Sequence, residues 1–140
     1  MELGSQLLGS YRAVPESPAE ARKRLQPLRS SLDEEAFDDL LLLVTELLTN
    51  SINHAGLGPD DYIEVSVALR DPCIHVRVSD RGIGFSPGSQ VVDQEAVQGR
   101  GLTLVRRIAD RWGLADEGST VWFDLPMLPV SKRGAHRRLR

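Results

Sequence analysis

The chain has 140 residues, 41% of them hydrophobic and 26% charged, enough for one hydrophobic core and outside the ranges of fibrous or compositionally disordered proteins. A single cysteine, Cys73, excludes an internal disulfide framework, and with only three histidines it excludes a cysteine-rich zinc site, so any metal is expected on oxygen. The net charge of −3 is uneven: Lys132, Arg133, Arg137, Arg138 and Arg140 crowd the last ten residues without an acid, leaving 12 of the 17 basic groups against all 20 acids in the rest. That acidic body argues against direct nucleic-acid binding.

In chain order, Ser10 to Val14 predicts a short edge strand, and Pro15-Glu16-Ser17-Pro18 a turn and helix start. Ala21, Leu25 and Leu28 at helical spacing predict a helix over Ala19 to Leu28. A longer helix is expected from Ser31 or Asp33, where Asp33, Glu34, Glu35, Asp38 and Asp39 face the positive end of its dipole, to about Ala55 before Gly56 and Gly58-Pro59. From Tyr62 the period becomes two. Ile63, Val65, Val67 and Leu69, then Ile74, Val76 and Val78 beyond Arg70-Asp71-Pro72, predict a hairpin with one buried face. Residues 80 to 100 are polar and carry Gly82, Gly84, Pro87, Gly88 and Gly99, a loop too long for mere connection. Gly101 to Trp112 reads as a helix with Leu102, Val105, Ile108, Ala109 and Trp112 on its apolar side, and Thr120 to Leu125 as a strand ended by Pro126. The tail, residues 131–140, is expected to be basic and disordered. The longest apolar run, Leu40 to Val44, falls far short of the roughly 20 residues of a membrane span. Met1 to Pro15 lacks the basic and apolar regions of a leader, so a cytoplasmic protein with no membrane contact is expected. The fold class is α+β, a two-layer sandwich with helices on one face of a mainly antiparallel mixed sheet.

Three features could carry chemistry. On the long helix Glu46, Asn50 and Asn53 fall at i, i+4 and i+7, inside a stripe about 40° to either side of Glu46. Leu42, Leu43 and Leu47 lie beside it, and Leu40, Leu41, Val44, Leu48 and Ile52 cover much of the remaining circumference, which predicts a largely buried helix. The stripe is then either a row of hydrogen-bonded core groups or a site floor, where a carboxylate acts as base and an amide oxygen ligates Mg²⁺. Next, Asp80-Arg81-Gly82-Ile83-Gly84 follows directly on a strand: an acceptor, then two glycines that let backbone approach a flat ligand or simply make a tight turn. Third, Gly99-Arg100-Gly101-Leu102 precedes a helix, where free backbone N–H groups suit phosphate, although glycine before a helix is also an ordinary loop residue. No Gly-x-Gly-x-x-Gly is completed, so a dinucleotide fingerprint is absent.

Taken in order, LLLVTELLTNSINHA, VSDRGIGF, GRGLTLV and STVWFDLP resemble the N box, G1 box, G2 box and closing strand of the GHKL ATPase superfamily, over roughly residues 10 to 126. The short chain, glutamate at position 46, the YRAVPESPAEAR start and the GRGLTLVRRIADRWG stretch are most similar to RsbW-type bacterial anti-sigma factors and serine kinases. The resemblance implies the Bergerat fold over residues 1–130, with ATP between the long helix and a lid over residues 86 to 98. It implies Glu46 as general base, Asn50 as Mg²⁺ ligand, and Asp80 as acceptor for the adenine amino group. Gly82 and Gly84 would pack near the base, Gly99, Arg100, Gly101 and Leu102 would hold phosphates, and Thr120 would support adenine beside Asp80. Asn53 and His54 close the N box, where either could reach phosphate; capping the helix C-terminus is the other reading of His54. The partners implied are a sigma factor, an anti-anti-sigma protein of the STAS type, or both, with a homodimer also allowed. Departing from several kinase-active relatives, Glu95-Ala96-Val97-Gln98 carries no cation, leaving Arg100 alone. A binding module of the same class without turnover is therefore the alternative. A histidine kinase catalytic domain would need a phosphoacceptor helix pair for which the chain has no room. His75, Cys73 and Trp122 have no motif role and are expected to pack on the sheet.

Overall fold

A computed structural model describes residues 6–54, 57–80 and 102–128. Five strands form one sheet in the order β1-β2-β3-β5-β4: β1 Gln6–Arg12, β2 Tyr62–Arg70, β3 Cys73–Asp80, β4 Arg111–Ala115 and β5 Thr120–Pro126. All described pairings are antiparallel, as the alternating sequence with one apolar face requires. Helices α1 Ser17–Leu25, α2 Glu34–His54 and α3 Leu102–Ile108 make the second layer. Among the described residues no helix is long and apolar enough to cross a membrane.

The core lies between α2 and the sheet. Phe37, Leu40, Leu43, Val44, Leu47 and Leu48 meet Ile63, Val65 and Val67 of β2, Ile74, Val76 and Val78 of β3 and Phe123 and Leu125 of β5, with Leu102 and Val105 of α3 closing one end. Asp33 starts α2, its carboxylate accepting the Glu35 N–H at 2.9 Å while its carbonyl accepts that of Phe37, the arrangement that satisfies otherwise orphaned donors. The Ser17 hydroxyl donates to the Arg12 carbonyl at 2.6 Å and fixes α1 against the end of β1.

Three boundaries differ from the sequence expectation. β1 begins at Gln6, because Leu7, Gly9 and Tyr11 already alternate inward along β2. α1 stops at Leu25, where Pro27 supplies no N–H and the chain tightens into a 3₁₀ turn, Gln26–Ser31. The helix expected to reach Trp112 ends at Ile108; the Asp110 N–H donates to the Asp124 carbonyl at 2.8 Å, drawing the chain onto β5 as the unforeseen β4. Trp112 fits both a helical period with Ile108 and a strand alternation with Leu114, and Gly113 tips the balance because it disfavours helix and lies beneath the Trp122 indole. α2 is largely buried, as its sequence predicts: from residue 39 to 53 only Leu42, at 41%, and Asn53 are exposed, with Glu46 and Asn50 half-buried. Ala55, the 81–101 segment with its proposed lid, and the 131–140 tail lie outside the described residues.

Candidate functional site

A cavity opens where α2 crosses the ends of β3 and β5. Leu47, Asn50 and Ser51 of α2 form one wall, Val78 and Asp80 of β3 and Val121 of β5 the floor, and Gly118 and Ser119 of the β4–β5 turn the rim. The floor follows from register, since Val78 pairs with Val121 and both side chains point toward α2, with Asp80 two residues further along the same face.

Two buried polar atoms at this cavity lack hydrogen-bond partners among the described residues, Asn50 Nδ2 and Asp80 Oδ1. Leaving such groups unpaired costs about 1–3 kcal/mol each, so their placement in a shared apolar pocket points to a polar ligand. Thr45 Oγ1 is orphaned as well but is not a lining group; the wall, not the orphan criterion alone, defines the site. Burial pushes the Asp80 carboxyl above the ordinary carboxylate range, and a hydrogen bond with the Ser51 side chain pulls the other way. An acceptor oxygen above Val78 and Val121 suits a flat heteroaromatic ring bearing an amino group. The Asn50 amide contributes one hard oxygen, enough for a cation such as Mg²⁺ that needs one or two protein ligands and takes the rest from water and phosphate. No cluster of metal-ligating side chains exists among the described residues.

The structure brings Asn50 and Asp80 together at this wall. Glu46 stands one helical turn before Asn50 on the same face of α2, half-buried and outside the lining. Asn53 is exposed, and the His54 side chain is outside the described residues, as are Gly82, Gly84, Gly99, Arg100 and Gly101. Leu102 opens α3 with its side chain fully buried in the core. Thr120 is fully buried but does not line the cavity. It pairs with Ser79 on the opposite face of the sheet, their hydroxyls 2.8 Å apart, while its neighbours Ser119 and Val121 reach the cavity. The signal was present in the sequence: if Val121, Phe123 and Leu125 face inward, Thr120 faces outward. Ser51, also missed, lies four residues after Leu47, one turn along the same wall.

Comparison with known proteins places the chain in a family. The family described as "Histidine kinase-like ATPase domain" matches residues 11–125. The chain is 35% identical over 106 residues to the serine-protein kinase RsbW of Listeria monocytogenes serotype 4a (strain HCC23), covering 66% of this chain and 68% of that protein. It is 34% identical over 106 residues to the RsbW of Listeria innocua serovar 6a, with the same coverage. The crystal structure of the RsbU and RsbW domains of Rv1364c from Mycobacterium tuberculosis superimposes with a TM-score of 0.63 at 17% identity, covering 86% of this chain and 31% of that one, so the chain spans about a third of that protein. Sequence and fold together establish that the chain belongs to the histidine kinase-like (GHKL) ATPase family, in its RsbW-type branch.

Proposed function

We propose that the chain is an ATP- and Mg²⁺-binding cytoplasmic regulator, an anti-sigma factor that phosphorylates a serine or threonine of an anti-anti-sigma partner of the STAS type and restrains a sigma factor. The observation that carries this reading is the pair of orphaned atoms on one apolar cavity: Asp80 Oδ1 is short of a donor such as an amino group, and the Asn50 Nδ2 amide is short of an acceptor such as a phosphate oxygen. Asp80 accepts the adenine amino group, Leu47, Val78 and Val121 pack against the ring, and the Asn50 amide oxygen holds Mg²⁺. Backbone amides of Gly99, Arg100, Gly101 and Leu102 take the phosphates, with Gly82 and Gly84 near the base and Asn53 and His54 toward the phosphate end. Bound ATP with its cation supplies the transferable phosphoryl group. Glu46 would accept the proton of the partner's hydroxyl as that oxygen bonds to the terminal phosphorus and ADP departs, so the chain contributes positioning and electrostatics. Thr120, held behind the cavity, supports adenine only through the turn in front of it.

Titration calorimetry with ATP, with and without Mg²⁺, tests this reading on wild type and Asn50→Ala. Binding that Mg²⁺ strengthens in wild type and leaves unchanged in the variant is expected; an equal response in both makes Asn50 a structural amide. A second reading, a nucleotide-dependent binding module without turnover, is favoured by the absence of a cation in Glu95-Ala96-Val97-Gln98. Incubation with labelled ATP and candidate partners separates the two, since only the kinase transfers label.

A further inference from the structure

We infer that Asp116, which belongs to none of the motifs marking the site, is a positioning residue for the nucleobase: it fixes the cavity rim against Asp80 and so sets the preference for adenine over guanine. This rests on the adenine-nucleotide reading above.

Asp116 has φ = 53°, a left-handed conformation that is uncommon outside glycine and tolerated by aspartate because its side chain bonds locally. Its carbonyl accepts both the backbone N–H of Ser119, at 3.2 Å, and the Ser119 hydroxyl, at 2.9 Å. Its carboxylate accepts the Thr120 hydroxyl at 2.8 Å. A threonine hydroxyl has one proton; since it goes to Asp116, Ser79 must be the donor in the Ser79–Thr120 contact. A directed chain therefore runs from Ser79 through Thr120 to Asp116, pinning the turn from behind the sheet. In front, the Ser119 carbonyl accepts the Asp80 N–H at 2.8 Å, and Gly118 and Ser119 form the cavity rim. Asp116 thus reaches Asp80 through Ser119 from its carbonyl, while its carboxylate anchors Thr120, the next residue along the same turn. Arg77 approaches the same carboxylate only at 3.8 Å, with both side chains largely solvated, and adds little.

The consequence concerns base choice. An ionised Asp80 matches the amino group of adenine and opposes the carbonyl oxygen that guanine carries at the same ring position, so discrimination depends on where that carboxylate stands. Loosening the rim should weaken ATP and spare GTP.

Asp116→Gly and Asp116→Asn test this by titration with ATP and with GTP, beside thermal melts. Glycine adopts φ = 53° without strain and keeps the carbonyl that Ser119 uses but provides no side-chain acceptor for Thr120; asparagine tolerates the conformation and keeps an oxygen for Thr120. Asp116→Gly is expected to bind ATP about five- to tenfold more weakly, the scale of one lost hydrogen bond, with GTP affinity unchanged and the ATP/GTP ratio reduced accordingly. Asp116→Asn should stay within about twofold of wild type. A folded Asp116→Gly protein that melts lower yet keeps the wild-type ATP affinity and ratio overturns the proposal, leaving Asp116 a purely structural turn residue. Wild-type protein that binds no ATP overturns the nucleotide reading instead, and this inference with it.

Discussion

The two faces of the β3–β5 pair both carry polar side chains and treat them in opposite ways. On the α2 face, Asp80 keeps one oxygen unpaired above Val78 and Val121. On the far face, the Asp124 carboxylate, 10% exposed, takes His75 Nδ1 at 2.6 Å on one oxygen and Arg111 Nε at 3.6 Å on the other. His75 tilts over Trp122, their ring centroids 5.9 Å apart, and the Trp122 indole lies over Gly113. Both carboxylates are sheltered from water, so burial does not separate a site from a scaffold; satisfaction does. A sheltered acid whose partners are present stabilises the sheet, whereas one left short of partners leaves a ligand something to complete.

The largest effect that could break this contrast lies at Glu46. If Glu46 is the base, Glu46→Gln keeps the shape and removes the proton acceptor, and phosphorylation of a true partner in a single-turnover assay should fall by about 10²–10⁴-fold with ATP affinity nearly unchanged. Equal rates would remove Glu46 as base, and no transfer from wild type would favour the binding module. Next comes Asp80→Ala, which leaves the adenine amino group without its acceptor and should weaken ATP by about 1.5–3 kcal/mol in calorimetry. Affinity like that of wild type in the folded variant would detach Asp80 from the nucleotide.

Asp80 also makes a pH prediction of definite sign. Because burial raises its folded value above the ordinary 3.8, the folded state binds more protons than the unfolded state between those two values. Stability of the apo protein should therefore decline as pH rises from about 4 through the raised value and then level off. Asp39, raised by burial and by Glu35 and Asp38, contributes in the same direction, so the measurement is the difference between denaturation profiles of wild type and Asp80→Asn. Identical slopes would mean that the carboxyl is as well solvated as in the unfolded chain.

Much of the satisfied scaffold was legible in the sequence, because period-two runs such as Ile63 to Leu69 and the acid-rich start at Asp33 state their structure locally. So was the stripe with Asn50, and Asp80 at a strand end. What escaped was set by partners distant in sequence. β4 exists because Asp110 and Gly113 meet Asp124 and Trp122 on β5, and no window around Trp112 contains that information. Thr120 was placed at the ligand by motif, yet strand alternation assigns it to the far face, and Ser51 reaches Asp80 across a gap that only folding closes. Leu42 stays outside because a helix lying on a sheet turns one side toward solvent, and a run of leucines alone does not say which of them that will be.

Smaller effects sharpen the far-face half of the contrast. At Gly113 a Cβ would meet Trp122 Nε1 at 2.7 Å, so Gly113→Ala must displace the indole that His75 packs on. Overpacking of this kind costs about 1–3 kcal/mol. Denaturant unfolding should register that loss, with a change in tryptophan emission and an unaltered ATP affinity. A stable variant with weakened ATP binding would show that the two faces are coupled and not separate.

The smallest expected effect is also the most discriminating. His75→Ala removes the 2.6 Å partner of Asp124 but leaves Arg111 at 3.6 Å, so one carboxylate oxygen loses its bond while the acid keeps a counter-charge. The loss should be about 0.5–1.5 kcal/mol of stability, the net worth of one hydrogen bond. Arg111→Ala, truncating a side chain 74% exposed, should cost less, within the range of about 0–1 kcal/mol for a solvated ion pair. Because both substitutions lie behind the sheet, neither should move the affinity for ATP or its dependence on Mg²⁺. If His75→Ala were to cost nothing while Asp80→Ala destabilised the apo protein, the assignment of satisfied acid to scaffold and unsatisfied acid to site would be reversed. Paired unfolding and binding curves for these two variants therefore test the physical criterion that separates the faces, independently of whether any phosphoryl group is transferred.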